Sequence, residues 1–349
     1  MGSSLDDPRW CGVLRPREGE SLGLKAVGHD TARLLQALAE PAPLPEYVAY
    51  DADSESRREI LRLIADRVIE VDLGAGFVSG ADALALYGRS APVCEGGRIA
   101  KLSRKALQYA QSLPIEAIHD LAKRIYDYNS LPLTPRWRKL LQASEGHARY
   151  LGLAANGPAT GALSHDWNAL TSSSDWLAWG STERMTASSR FPFKLYVSPA
   201  PEALCADGFA RVISALSTTR AVQFKVGANA VGLLRPDKLV VYFADFEALV
   251  EGASLVYERL AGMPAHGVPF SAEFRGNGLL SWGVDPPRTG GSSWSIGDSW
   301  RVWVVRLLAR AIIDARHSPQ AWRFAMERVR LEGVDPNTWT PEVSIFQEA

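Results

Sequence analysis

The segment Phe193-Lys-Leu-Tyr-Val197 alternates large apolar side chains with Lys194 and Tyr196. Successive side chains of a β-strand point to opposite faces of its sheet. The alternation therefore predicts a strand whose apolar face is buried and whose other face carries an amine and a phenol. Because the two polar residues are two positions apart, packing against a hydrophobic core cannot explain both of them.

Further strands and helices follow toward the C-terminus. Lys225 lies on the polar face of a second alternating segment, and the turn Arg235-Pro-Asp-Lys238 leads into a third strand that carries Tyr242. Apolar spacings of three and four residues predict helices between and after these strands. The predicted strands are 193–197, 222–226, 239–243 and 270–275, and the predicted helices are 201–217, 245–262 and 300–317. The expected fold is α+β, with helices packed on one side of a mostly antiparallel sheet.

The length of 349 residues favours two domains. Helical spacing at residues 56–71, 101–111 and 114–129 predicts a mainly helical region over residues 1–150. Residues 151–189 are rich in small and polar side chains, which is typical of a flexible linker or flap. Residues 190–349 then form the domain that contains the sheet.

The composition limits the kinds of partner and cofactor. Lys and Arg number 38 and Asp and Glu number 39, so the net charge of −1 argues against a nucleic-acid or acidic membrane partner. The 3 cysteines are widely spaced and no histidine cluster accompanies them, so we expect no metal and no other cofactor. No segment has the roughly 20 consecutive apolar residues of a membrane span, and no secretion signal is evident. We therefore expect a soluble protein of the reducing cytoplasm.

If the strand that carries Lys225 lies near the strand 193–197, basic and phenolic side chains would come together on the polar face of the sheet. Arginine offers a planar fork to phosphate oxygens, and a lysine buried beside other cations becomes available as a base. A solvated sheet face explains the same pattern, and the periodicity alone favours that interpretation. The candidate residues for a cationic, phenol-lined phosphate site are Lys194, Tyr196, Lys225, Arg235, Tyr242 and Arg275.

Two short motifs resemble a known enzyme family. Lys194-Leu-Tyr-Val-Ser-Pro199 resembles the Lys-x-His-Ile-Ser strand of the type III effector phosphothreonine lyases, and Phe224-Lys-Val226 resembles the strand that carries their catalytic lysine. Over residues 190–315, the chain is also similar to the Hop-effector-like lyases of bacterial peptide biosynthesis. Those enzymes are the lyase components of class V lanthipeptide and thioamitide pathways.

The resemblance implies a β-elimination that releases phosphate from phosphoserine or phosphothreonine and leaves dehydroalanine or dehydrobutyrine. By this resemblance Lys225 removes the α-proton and Lys194 stabilises the developing enolate. Tyr196 stands where the effector enzymes have the histidine that protonates the leaving group, so the identity of the acid stays open. The resemblance also implies that Arg235, Tyr242 and Arg275 bind the phosphate.

The resemblance further implies a set of partners. The substrate would be a phosphorylated, ribosomally made precursor peptide, and the partners would be a separate Ser/Thr kinase and a cyclase. The N-terminal region over residues 1–150 would bind the leader peptide or the kinase.

Two alternatives remain beside this hypothesis. A lyase-like domain without its acid, with Tyr196 in that position, would be a non-catalytic subunit that binds a phosphopeptide or scaffolds a kinase. A secreted effector is disfavoured, because the first 20 residues lack a Ser-rich export segment and the Lys-x-His motif is absent.

Overall fold

The computed structural model describes residues 10–14, 25–37, 40–41, 43, 55–87, 96–141, 145–171, 173–184, 191–286 and 298–342. The chain forms two compact units, Met1–Ala83 and Leu84–Ala349. The boundaries expected from the sequence lie after residues 150 and 189. Helical spacing identifies which segments are helices, but it does not reveal which unit each helix packs into.

The smaller unit combines short helices with two-stranded pairs, so its described part is not purely helical. β1 (Trp10–Leu14) pairs with β2 (Lys25–Gly28), and β3 (Val71–Asp72) pairs with β4 (Phe77–Val78), both antiparallel. The helical elements of this unit are α1 (His29–Ala37), α2 (Glu55–Ala65) and a 3-10 turn, Gly80–Ala83. On α2, Ile60, Leu61 and Ile64 are buried, as the apolar spacing predicted.

The larger unit is built on an antiparallel sheet. Its described strands are β5 (Trp167–Ala169), β6 (Trp176–Ser181), β7 (Phe193–Val197), β8 (Gln223–Gly227), β9 (Leu239–Phe243), β10 (Ala272–Phe274) and β11 (Leu280–Val284). They hydrogen-bond in the order β10-β11-β7-β9-β8-β6-β5. Two of them, β7 and β9, have the predicted bounds. The α+β class and the antiparallel sheet are therefore confirmed.

The helices of the larger unit include several that the sequence did not predict, among them the last one. A 3-10 turn, Pro201–Leu204, precedes the first helix after β7. The helices are α3 (Leu84–Tyr87), α4 (Arg98–Gln111), α5 (Ile118–Tyr126), α6 (Pro135–Leu141), α7 (Gly146–Tyr150), α8 (Pro158–Leu163), α9 (Ala206–Ser217), α10 (Ala230–Leu234), α11 (Phe246–Arg259), α12 (Trp300–Asp314) and α13 (Ala321–Leu331).

One face of the sheet is apolar and packs against α9 and α11. Leu195 of β7, Phe224 of β8 and Val241 of β9 are each 0% exposed and belong to one hydrophobic core. Val212 of α9 and Val256 of α11 belong to the same core. Burial of these large apolar side chains is the main favourable contribution to the fold, at about 1.5–3 kcal/mol for each.

The opposite face also carries helices, at its β10–β11 end. A Cβ on Gly283 of β11 would lie 2.5 Å from the indole of Trp300, so α12 begins directly on the sheet. The Trp300 indole nitrogen donates a hydrogen bond to the carbonyl of Phe270. α12 packs in turn against α5 and α13. This second layer brings α5 and α12 beside the polar face of the central strands.

The segment 151–189, expected to be a linker or flap, supplies two strands of the sheet. β6 pairs with β8, and Trp179 stacks on Phe224 with ring centres 5.1 Å apart. β5 continues the sheet beyond β6. The small and polar residues around these strands concealed them, because a strand on the sheet's edge needs only a few apolar anchors to pack.

Candidate active site

The strand register places the predicted polar residues on one face. Lys194 lies opposite Tyr242 across β7 and β9, while Tyr196 and Lys225 both lie opposite Val240. Directly opposed residues of antiparallel strands point to the same side of the sheet. The face opposite the hydrophobic core is therefore shared by Lys194, Tyr196, Lys225 and Tyr242.

Aromatic rings separate the cations on this face. The ammonium nitrogens of Lys194 and Lys225 lie 5.5 and 5.6 Å from the ring centre of Tyr242. The Lys225 nitrogen also lies 4.3 Å from the ring centre of Trp176, and the Arg235 guanidinium carbon lies 5.3 Å from the same ring. The negative faces of such rings allow like charges to approach one another in a partly dry site.

The two lysines of the site have different electrostatic environments. Lys194 is 7% exposed, and its nitrogen lies 2.5 Å from Oδ1 of Asp285. Among the described residues, no carboxylate lies within 4.0 Å of the Lys225 nitrogen. Burial, together with the positive charge of Lys194, lowers the pKa of Lys225 to about 8. Lys194 is thus ion-paired, while Lys225 can be neutral near physiological pH.

Asp285 also connects the site to α12. Its Oδ1 accepts a hydrogen bond from the backbone nitrogen of Trp300 at 3.0 Å. The carboxylate therefore contacts the first turn of α12, where backbone N–H groups favour negative charge. Asp285 therefore links the Lys194 ammonium to the start of this helix.

Asp237 organises the other half of the site. Its side chain is 4% exposed, and its oxygens accept hydrogen bonds from Nε and Nη2 of Arg235 at 3.0 and 2.9 Å. The Tyr126 hydroxyl donates to Oδ2 at 2.8 Å, and Nη1 of Arg301 lies 2.7 Å from the same oxygen. Burial alone would raise the pKa of Asp237, but Arg301 and Arg235 hold it well below its usual range. Asp237 stays ionised and fixes both arginines.

Tyr126 adds an aromatic surface between the two arginines. The Arg235 guanidinium carbon lies 5.2 Å from its ring centre, and that of Arg301 lies 4.2 Å from it. Nη2 of Arg235 donates a hydrogen bond to the Tyr126 hydroxyl at 2.9 Å. Burial, followed by the charge of Asp237, raises the pKa of Tyr126 to about 12. The phenol therefore stays protonated and acts as a fixed dipole.

The cluster carries more positive than negative charge. Four cationic side chains face two carboxylates when Lys225 is protonated. An excess of cations in a largely buried site favours a dianion such as a phosphate monoester. The cations are Lys194, Lys225, Arg235 and Arg301, and the carboxylates are Asp237 and Asp285.

Tyr196, which the resemblance places at the position of the acid, is more buried than Lys194, Lys225 and Tyr242 on the same face. It is only 3% exposed. Burial raises its pKa well above the ordinary value for a phenol. Burial also raises the pKa of Tyr242. Both phenols are therefore neutral hydrogen-bonding groups, and Tyr196 is a weak proton donor.

Arg275 is not brought to this cluster. It is exposed in the turn between β10 and β11, with a φ of 62°, and its guanidinium carbon lies 5.4 Å from the ring centre of Phe274. Phe274 packs against the hydrophobic core on the other face of the sheet. The expectation that Arg275 contacts the phosphate is therefore corrected. Alternation along 270–275 does not reveal that the strand ends before Arg275.

The sequence did not assign site roles to Asp237, Asp285 or Tyr126. Asp237 was interpreted only as part of the turn Arg235-Pro-Asp-Lys238, and Tyr126 lies on a helix outside the polar strands. Arg301, on the predicted helix 300–317, was likewise given no site role, but it is 1% exposed. A signal for Asp237 was available, since an acid two residues after an arginine can pair with it in a turn.

The described residues contain neither a candidate metal site nor a candidate membrane span. No group of three histidine, cysteine, aspartate or glutamate side chains could hold a metal ion there. No described helix is long and apolar enough to cross a membrane.

No protein-family model matches the chain, and no curated protein matches it. Among solved structures, an effector protein from Pseudomonas syringae pv. tomato is 14% identical, covering 70% of this chain and 97% of that one, with a TM-score of 0.40. The phosphothreonine lyase effector VirA (SpvC) of Chromobacterium violaceum is 12% identical over 58% and 98% of the two chains, with a TM-score of 0.30. The phosphothreonine lyase effector OspF of Shigella flexneri is 14% identical over 43% and 90%, with a TM-score of 0.28.

Proposed function

We propose that the protein is a lyase that eliminates phosphate from phosphoserine or phosphothreonine in a peptide. One observation carries the proposal: Lys225, whose pKa is lowered to about 8, and Arg235 lie over the same ring of Trp176. A base and a phosphate-binding fork at one aromatic ring can engage the α-proton and the phosphate of a single residue. The sequence resemblance to phosphothreonine lyases supports the same assignment.

The reaction is a β-elimination without hydrolysis. The neutral Lys225 amine takes the α-proton, and the electrons of the Cα–H bond form the Cα=Cβ double bond. The Cβ–O bond breaks, and phosphate leaves with its electron pair. Lys225 then returns its proton to solvent. The positive charge of Lys194 favours the enolate-like charge that develops on the substrate carbonyl.

The phosphate would be held by Arg235, which Asp237 and Tyr126 orient. Tyr242 would contribute a hydrogen bond from its neutral phenol. A dianionic ester releases phosphate as a trianion unless the leaving oxygen gains a proton. Fixed guanidinium groups stabilise this developing charge, so the step requires less help from an acid than departure of an alkoxide. By the resemblance, Tyr196 occupies the position of the leaving-group acid. We expect its contribution to the elimination rate to be smaller than that of Lys225.

In a cellular setting, the substrate would be a ribosomally made precursor peptide that a separate Ser/Thr kinase has phosphorylated. The dehydrated product is an electrophile, which a cyclase could join to a cysteine thiol. This part of the proposal rests on the resemblance to the lyase components of class V lanthipeptide and thioamitide pathways. The smaller unit, Met1–Ala83, and the helices before residue 150 are the candidate regions for leader-peptide or kinase binding.

The decisive experiment is incubation of the protein with a phosphoserine peptide, followed by mass spectrometry. The expected product has lost phosphoric acid and forms an adduct with an added thiol. K225A should abolish this loss. K123A is the matched control, since Lys123 is 68% exposed and pairs with Asp127 on the surface. Wild-type protein that leaves the phosphopeptide intact, or K225A that retains full activity, would refute the proposal.

A second candidate function is a non-catalytic subunit that binds phosphopeptides or scaffolds a kinase. The burial of Tyr196 favours it, because its raised pKa makes a weak acid. Under the lyase proposal, Y196F should lower turnover by about tenfold or less, well below the 10²–10⁴-fold contribution of a fully effective acid. Tight phosphopeptide binding without turnover by the wild-type protein would instead establish the second candidate.

A further inference from the structure

A cavity adjoins the candidate active site at Arg235. Its volume is about 700 Å³, which is within the range of pockets that enclose small ligands. We call it the α10 groove. It is lined by Leu141, His147, Asp175, residues 228–232 and Arg235.

The groove is continuous with the site. Arg235 belongs to both, and Asp175 immediately precedes Trp176, the ring that Lys225 and Arg235 share. Gly227, two residues after Lys225 on β8, accepts a hydrogen bond at 2.9 Å from Nε2 of His147 in the groove wall. A peptide whose phosphorylated residue lies on Lys225 and Arg235 would therefore enter this groove with a flanking residue.

The groove wall is preformed by close backbone packing. A Cβ on Gly227 would lie 2.4 Å from the carbonyl carbon of Gly232, so α10 lies directly against the end of β8. The Asn229 side chain accepts a hydrogen bond from the backbone nitrogen of Gly232 and donates one to the carbonyl of Ser174. A wall fixed in this way needs little ordering when a ligand binds.

The chemistry of the wall is mostly uncharged. Val231 is 62% exposed and offers an apolar surface to a ligand in the groove. Leu141 contributes a second apolar side chain, and burial lowers the pKa of His147, which keeps that ring neutral. The acidic side chain of this wall is Asp175, at the exposed rim. The lining also includes Arg235, whose guanidinium is paired with Asp237. An acidic side chain beside Val231, away from Arg235, would therefore meet the Asp175 carboxylate and an apolar surface.

We propose that the α10 groove binds the residue next to the phosphorylated one and selects an uncharged, apolar side chain, which packs on Val231. The inference rests on the proposed function, because it takes the phosphorylated residue to lie on Lys225 and Arg235. It assigns peptide selectivity to α10 and α7, at the end of the sheet.

The test uses two fluorescein-labelled phosphoserine peptides that differ only in having Leu or Glu on both sides of the phosphoserine. Fluorescence anisotropy gives each Kd with the full-length protein. Wild type should bind the Leu peptide at least about tenfold more tightly. V231E should remove this difference by weakening the Leu peptide, and V231K should shift the preference toward Glu. V250E is the matched control, because Val250 is 40% exposed on α11 at the opposite face of the sheet.

The outcomes separate the two proposals. Equal binding of the Leu and Glu peptides by wild type, or an unchanged preference in both V231E and V231K, would overturn the groove assignment. Circular dichroism checks that each variant is folded. If wild type shows the expected preference but eliminates no phosphate, the groove assignment stands and the lyase proposal fails.

Discussion

Lys194 and Lys225 lie on different strands, yet their ammonium nitrogens are 5.5 and 5.6 Å from the same ring centre, that of Tyr242. Lys194 forms an ion pair with Asp285 at 2.5 Å, whereas no described carboxylate pairs with Lys225. This asymmetry separates two residues of the same type into an ion-paired lysine and a titratable base. It determines how the activity should depend on pH.

The elimination rate is expected to rise with pH and to level off above about 8, since only the neutral Lys225 amine can take the α-proton. K194M removes a positive charge that lowers the pKa of Lys225. The midpoint of the rate profile should therefore move to higher pH. Rates measured from pH 6 to 10 with the phosphoserine peptide test this prediction. An unmoved midpoint in K194M would contradict the assigned coupling, and K123M serves as the surface control.

Lys225 should also reduce the stability of the folded protein. Its pKa is lowered from 10.5 to about 8 on folding, so the protonated form favours the unfolded chain. This cost is present below pH 8 and disappears as the pH rises from 8 toward 10.5. K225M should therefore raise the free energy of unfolding by about 1–3 kcal/mol at pH 7 and by little near pH 10.5. Urea denaturation at both pH values measures the difference. A K225M protein less stable than wild type at pH 7 would refute the prediction.

The phosphate-binding role separates Arg235 from Arg275. R235K keeps a positive charge but loses the planar fork that Asp237 and Tyr126 orient. We expect at least about tenfold weaker binding of a phosphopeptide, with little change for its unphosphorylated form. R275A should bind as wild type does, because Arg275 is exposed in a turn. Anisotropy titrations compare the variants, and weaker phosphopeptide binding by R275A would restore its sequence-based assignment.

Asp237 is expected to be essential for stability as well as for positioning. D237N would leave Arg301, at 1% exposure, without its ionised partner. Breaking a buried pair from one side costs about 3–5 kcal/mol. D127N is the control, since the Lys123–Asp127 pair is exposed and should contribute at most about 0.5 kcal/mol. Thermal and urea unfolding at pH 7 give both values.

The lowered pKa of Asp237 also predicts how the stability of the folded protein depends on acidic pH. Its folded pKa lies below the unfolded value of about 3.9, so its stabilising contribution is complete above that value and is lost as the pH falls further. Wild-type stability should therefore decrease below pH 4. D237N, if it is folded, should show a smaller decrease over the same range. Parallel acid dependences in the two proteins would contradict this role.

Much of the sheet was predictable, because its central strands alternate strictly. The segment 193–197 is buried on one side by Leu195 and Val197 and faces the site on the other with Lys194 and Tyr196. β6 and β11 were not predicted, since their small residues and tryptophans fit loops as well as strands. Periodicity finds a strand only where packing demands a regular alternation.

The sequence by itself determined the α+β class, the central strands and the common face of Lys194 and Tyr196, because these follow from a repeat of two along each strand. The pairing of the strands added Lys225 and Tyr242 to that face. Only the tertiary structure decided which charges meet there. It brought Tyr126 from α5 and Arg301 from α12 to Asp237, and it placed Arg275 in an exposed turn. Local periodicity sets the direction of a side chain, whereas the pairing of charges depends on which distant segments pack together, and that contact leaves no regular spacing in the chain.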